Sequence, residues 1–300
     1  MRATALGVRV IALDLVRLTP LMALTSGSQE IAVGVIDGPV AADHSGLGAK
    51  IRELFGGEEK GRAADDGAAR RHGTYIAGIL GARRGSFAPA ICPGCTLLVR
   101  PVLSGSYGTS MPTSTAEELA DAIVECVAAG ARVINLSLAL ETSSPRGERA
   151  LAAALDRAAE RNALVVAAAG NRGRVGSSAI IRHPGIIPVV SYDLQGRPMD
   201  HSDLSFSAGR RGLGAPGAKV ASLGANGEAL TLTGTSVAAP FVTGAIALLW
   251  SEFPGAPSAR IRLAVTQAGG ARRRSVAPPL LNAWAAYQSM LSGQPDGVGR

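Results

Sequence analysis

Five short runs of aliphatic and β-branched residues, at 31–36, 96–102, 132–138, 163–168 and 187–191, alternate with longer segments whose apolar residues recur every three or four positions. Apolar runs of this length suit strands buried on both faces. A helix between successive strands is what parallel pairing needs to carry the chain back. The helical segments are 73–80, 116–129, 149–161 and 236–253. Together they predict an α/β chain with three layers, α/β/α, about a mostly parallel central sheet. The charged, Ala/Gly-rich stretch 48–71 reads as a surface insertion with one short helix around 51–55. Glycine-, serine- and proline-rich connections such as 104–114 and 170–178 join the elements, and the crevice of an open α/β sheet lies among the loops at its strand C-termini.

A single domain over 1–300 accommodates this pattern, with an N-terminal extension at 1–17 and a tail at 293–300. Aromatic residues are 4% of the chain and glycines number 38, so the core has to be packed closely from Ala, Val, Leu and Ile. The formal charge of +7 rests on arginines in scattered pairs (Arg70-Arg71, Arg83-Arg84, Arg210-Arg211) and one triplet, Arg272-Arg273-Arg274. Without interleaved aromatics or a recognition motif they read as a solvated surface, not a nucleic-acid footprint. Three cysteines make no disulfide framework. Cys92-Pro93-Gly94-Cys95 reads as two reduced thiols at a turn in preference to zinc or a labile disulfide, and Cys126 as core. Arg9, Asp14 and Arg17 interrupt the apolar N-terminus, so neither a signal peptide nor a membrane span is expected and the default address is cytoplasmic. Nothing sets an oligomeric state.

Four positions carry chemistry. Asp37 closes the first strand run, where the crevice should lie, although a lone strand-Asp-Gly is more often a turn. His72-Gly73-Thr74 opens a helix, a place where a histidine is more often structural. Asn171 follows Ala168-Ala169-Gly170 in a glycine-rich turn and is either a left-handed turn residue or a donor to an oxyanion. Ser236, in Gly234-Thr235-Ser236-Val237-Ala238-Ala239-Pro240, stands at the N-terminus of a long apolar helix, where unpaired N–H groups favour developing negative charge; a plain N-cap is the blander reading. Four bland readings falling together in this order, each at an element end, is the less economical account. A nucleophile elbow of the α/β-hydrolase kind is excluded twice. Ala238 stands where glycine is needed, and the order is acid, His, Ser.

Ile36-Asp37-Gly38, His72-Gly73-Thr74, Ala168-Ala169-Gly170-Asn171 and Gly234-Thr235-Ser236 resemble the four signature blocks of the subtilisin-like (S8) peptidase family, and the likeness runs from Leu18 to Trp284. Ile36-Asp37-Gly38-Pro39-Val40 and the Pro-Gly-Cys95 turn are more similar to proteases that mature cyanobactin-type ribosomal peptides. The resemblance implies a subtilisin-like fold and a serine endopeptidase with no cofactor, in which Ser236 is nucleophile, His72 base and Asp37 its orienting carboxylate. Asn171 and the Ser236 N–H would form the oxyanion hole. It further implies a peptide or protein substrate bound as an extended strand between Ser137-Leu138-Ala139 and Ser104-Gly105-Ser106-Tyr107. Gly170, Arg172 and Arg182 would border the pocket for the residue before the scissile bond, and Ala139 would narrow it. Two guanidiniums there predict cleavage after Asp or Glu; the alternative is that Arg182 turns to solvent or pairs with Asp200 or Asp203.

Tyr75, Val237 and Phe241 depart from the family's usual residues without removing a catalytic group. His44-Ser45-Gly46-Leu47 lacks the aspartate that often ligates calcium, so no metal is expected there. The thirty residues before Ile31 are too few for the family's inhibitory prodomain. A non-catalytic peptide-binding module and a transamidating macrocyclase are the rival readings. Intact candidate groups argue against the first, and the short stretch between Asp37 and His72 leaves little room for the second's helical cap.

Overall fold

The computed structural model describes residues 2–54, 67–102, 113–140, 144–268 and 275–293. Its strands, in chain order, are β1 (Ala32–Asp37), β2 (Lys50–Glu53), β3 (Thr96–Pro101), β4 (Thr113–Ser114), β5 (Ala131–Leu136), β6 (Ala139–Leu140), β7 (Leu164–Ala168), β8 (Ile186–Tyr192), β9 (Leu213–Pro216), β10 (Val220–Leu223) and β11 (Ala229–Leu232). Its helices are α1 (Arg2–Leu15), α2 (Leu18–Leu24), α3 (Gly67–Gly81), α4 (Ala116–Ala128), α5 (Pro145–Glu160), α6 (Ala179–Arg182), α7 (Phe206–Arg211), α8 (Thr235–Glu252), α9 (Ser258–Gln267) and α10 (Ala283–Ser292).

Seven strands form one sheet in the order β2-β3-β1-β5-β7-β8-β9, and every neighbouring pair is parallel. Along β5, Val133 faces the core shared with α3 and α8, while Ile134 faces the core shared with α4 and α5. That alternation, apolar on both sides, is why the strand runs have no polar face. From β1 the chain runs to the edge strand β2, returns as β3 between β2 and β1, then crosses to β5 and continues the other way, so the strand order reverses beside β1. The crevice of a doubly wound sheet opens at such a point.

Helix α8 lies against the sheet with every residue from Thr235 to Trp250 buried, which accounts for a sequence apolar all round. Gly244 is one of the small residues that let it in: a Cβ there would lie 2.6 Å from the Ile91 side chain.

Three expectations change. The short helix at 51–55 is instead the strand β2 over Lys50–Glu53, pairing in parallel with β3. The free edge of β3 offers a hydrogen-bond ladder that outweighs the weak local preference of four residues, and the exposed Lys50, Arg52 and Glu53 suit an edge strand. The helix carrying His72 begins at Gly67, so 67–71 is helix and not insertion. Within the N-terminal extension, helix α1 covers Arg2–Leu15, and Ala12 and Val16 are buried in the main core. Helix α5 also starts four residues earlier than its apolar pattern, because Ser144 caps Gly147 N–H at 3.0 Å and Pro145 occupies the first turn. The Arg272-Arg273-Arg274 triplet and most of the C-terminal tail lie outside the described residues.

Candidate active site

Asp37 is the last residue of β1 and is wholly buried. Its Oδ1 accepts the Gly38 N–H at 2.7 Å and lies 2.7 Å from His72 Nδ1. Helix α3 reaches it because its first turns press on the strand end: a Cβ on Gly38 would stand 2.1 Å from the Ala69 carbonyl oxygen. A carboxylate can only accept, so Nδ1 carries the imidazole proton and Nε2 presents its lone pair outward. Nε2 is 3.4 Å from Ser236 Oγ, at the long end of hydrogen-bond range. Three side chains from β1, α3 and α8 thus form one line.

Ser236 is not a helix cap. The N-cap of α8 is Gly234, which has φ 146 and no side-chain bond, and this leaves the serine hydroxyl in the first turn facing His72. Asn171 is not a left-handed turn residue either. The positive φ of that turn falls on Gly170, at 117°. Asn171 Oδ1 accepts from Thr235 N at 2.8 Å and from Thr235 Oγ1 at 3.0 Å, and Thr235 Oγ1 in turn accepts the Gly170 N–H at 3.2 Å. Because a backbone N–H can only donate, these bonds decide which end of the amide is which. The donor Nδ2 lies toward Gly234, where a Cβ would stand 2.9 Å from it. Behind the turn, Asp203 Oδ1 accepts from Arg172 N and Arg174 N, each at 3.0 Å.

Ser137 and Leu138 are buried, and Ser137 Oγ donates to the Ser236 carbonyl at 2.9 Å. Ala139 belongs to β6, whose described partner is β4, with Thr113 opposite Ala139. Ser104 and Gly105 lie outside the described residues. Arg172 is exposed. The Arg182 side chain is 58% exposed, with Nη1 donating to the Ser177 carbonyl at 2.9 Å and Nη2 3.8 Å from Glu148. Its acidic neighbour is therefore Glu148, on α5, in place of Asp200 or Asp203. Thr235, Asp203, Asn135 and Thr243 hold site residues through contacts distant along the chain; in the sequence Thr235 is visible only as part of the Gly234-Thr235-Ser236 block and Asp203 only as a partner for Arg182, while Asn135, Thr243 and Glu148 are assigned no role. For those three the only signal is the polar Asn135 within an otherwise apolar strand run.

Tyr75, Val237 and Phe241 are fully buried, and Tyr75 Oη donates to the Val220 carbonyl at 2.7 Å while burial pushes its phenol well above the usual range. Cys92 and Cys95 are free, buried thiols. Their mutual hydrogen bond raises Cys92, burial adding to that effect, and lowers Cys95. Among the described residues no three His, Cys, Asp or Glu side chains gather as a metal-binding group, and no helix is long and apolar enough to cross a membrane.

The family model of the subtilase family (Peptidase_S8) matches residues 28–278. Subtilisin DY of Bacillus licheniformis is 30% identical over 237 residues, covering 77% of this chain and 81% of that protein. Two further curated relatives are longer, and the chain spans 51% and 58% of their lengths. Among solved structures, the prenylagaramide maturation protease PagA superposes with TM-score 0.77 at 27% identity, covering 91% of this chain and 98% of that one. The patellamide maturation protease PatA superposes with TM-score 0.75 at 30% identity, covering 89% and 99%.

Proposed function

We propose that this chain, which belongs to the subtilase family of subtilisin-like serine endopeptidases, hydrolyses peptide bonds through an acyl-enzyme formed on Ser236. The observation that carries the reading is the line Asp37–His72–Ser236, with the imidazole tautomer set by the 2.7 Å contact to Asp37.

Ser236 Oγ attacks the scissile carbonyl as its proton passes to His72 Nε2, and Asp37 stabilises the imidazolium that results. The carbonyl oxygen, now carrying the negative charge, is held by the Asn171 side-chain amide and by the Ser236 backbone N–H in the first turn of α8. His72 returns the proton to the departing amine as the C–N bond breaks. Water, deprotonated by the same imidazole, then releases the acid and restores the serine.

The likeness to maturation proteases for ribosomal peptides supports a precursor peptide as substrate, laid as an extended strand along the segment 137–139. At the pocket for the residue before the scissile bond, the exposed Arg172 supplies the rim charge, with no ion-pair partner among the described residues, while Glu148 offsets that of Arg182. The preference for Asp and Glu is accordingly modest and set at the rim.

The deciding experiment is reaction with a fluorophosphonate probe followed by mapping of the modified residue. Modification at Ser236, lost in Ser236→Ala, is the expected result. Modification elsewhere, or turnover that survives Ser236→Ala, refutes the assignment.

A further inference from the structure

We propose that Ser137, Asn135 and Thr243 are positioning residues that hold the backbone of Ser236, replacing a helical hydrogen bond that Pro240 removes. The proposal rests on Ser236 being the nucleophile.

In an α-helix the carbonyl of residue i accepts from the N–H of residue i+4. For Ser236 that residue is Pro240, which lies inside α8 and has no N–H. Its ring also crowds the carbonyl four residues back. Ser236 is only 3% exposed, so solvent gives little substitute, and an unpaired buried carbonyl is costly. The missing donor comes from another element: Ser137 Oγ, just beyond β5, reaches the Ser236 oxygen at 2.9 Å.

That hydroxyl has one proton, and the Ser236 carbonyl, which can only accept, takes it. Asn135 Nδ2, which can only donate, lies 2.7 Å from Ser137 Oγ and occupies one of its lone pairs. With Nδ2 so placed, Asn135 Oδ1 faces Thr243 and accepts from its Oγ1 at 2.9 Å. A threonine inside a helix commonly turns its hydroxyl back to its own helix's carbonyls; here it is directed to the strand. The result is a one-way chain of donors, Thr243 to Asn135 to Ser137 to the Ser236 carbonyl, with its three side chains fully buried.

The chain begins and ends on α8. Ser236 and Thr243 are two helical turns apart and share a face, while Asn135 and Ser137 are two residues apart and share the other side of the contact. Helix and strand are thereby pinned at two points, which resists both sliding and rotation of the first turn. That turn carries the Ser236 hydroxyl and N–H, and a displacement of about 1 Å in a reacting group is enough to lower rates by about 10²-fold.

The test compares Ser137→Ala with and without Pro240→Ala, reading kcat and KM on a peptide substrate, the rate of fluorophosphonate labelling and the melting temperature. Ser137→Ala should lower kcat and labelling roughly 10- to 100-fold with KM changed less than about threefold. Thr243→Val should act in the same direction with a smaller effect. Pro240→Ala gives the helix its own donor, so in that background Ser137→Ala should lower kcat by less than about threefold. An unchanged kcat in Ser137→Ala, or the same loss in both backgrounds, overturns the proposal, since a hydroxyl that only packs would not distinguish them. If Ser137→Ala alone does not fold, the double variant decides: folded and active supports the proposal, unfolded overturns it. A parent protein that is not labelled at Ser236 would instead remove the nucleophile assignment on which this rests.

Discussion

Gly73 abuts the carbonyl oxygen of Gly38 so closely that a Cβ on Gly73 would lie 2.2 Å from it, and 2.5 Å from the Pro39 oxygen. The contact sets how near α3 comes to the end of β1, and therefore the 2.7 Å between His72 and Asp37. Both obstructing atoms are backbone, so a larger residue can be accommodated only by moving the helix. Gly73→Ala should cost about 1–3 kcal/mol in stability through overpacking. It should also lower kcat/KM by more than about 10²-fold, because His72 leaves its carboxylate. Peptidase assays at a temperature where the variant remains folded separate the two effects; normal kcat/KM would mean that the helix position is not critical.

Ser236→Ala removes a hydroxyl that neither caps α8 nor lies closer than 3.4 Å to His72. Its melting temperature should stay close to the parent's, within the effect of about 0.5–1 kcal/mol, while turnover vanishes. A large loss of stability would assign the hydroxyl a structural role that the geometry does not show.

Asn171 serves two ends of one amide, and two substitutions separate them. Asn171→Asp retains an acceptor for Thr235 N–H but replaces the donor, so kcat should fall by about 10²–10³, the loss known for a side-chain oxyanion donor in subtilisin, with the fold preserved. Asn171→Ala loses the Thr235 contacts as well and should melt lower than Asn171→Asp. Equal kcat in Asn171→Asp and the parent would remove Asn171 from the oxyanion hole.

Acidification should abolish activity as His72 takes a proton, because an imidazolium cannot accept from Ser236. The sign is fixed by the base role: kcat/KM rises as pH is raised and the neutral imidazole is restored. A kcat/KM that does not fall on acidification would count against His72 as the base.

Glu148 faces Arg182 at 3.8 Å, and both are substantially exposed. Glu148→Gln should therefore raise the ratio of kcat/KM for Glu over Phe before the scissile bond, and Arg172→Gln should lower it, both effects shrinking with added salt. Ratios unmoved by either change would place both guanidiniums outside the pocket.

What was legible in the sequence was local or periodic. The five apolar runs and their intervening helices implied a parallel, doubly covered sheet, since no other arrangement buries such strands on both faces. The four short blocks around Asp37, His72, Asn171 and Ser236 marked the ends of elements, where an open sheet gathers chemistry. Tertiary structure decided the rest. Residues 51–53 are strand because β3 had an unpaired edge, a fact written nowhere within those residues. Arg182 answers to Glu148 and not to Asp200 or Asp203 because α5 and α6 pack together. Pro240 is visible in the sequence as a missing donor, but the replacement, Ser137, lies 99 positions from the Ser236 carbonyl it serves. Periodicity reports which face of an element is buried; it carries no information about which distant polar group meets another once those faces close, and the orientation of Ser236 depends on that meeting.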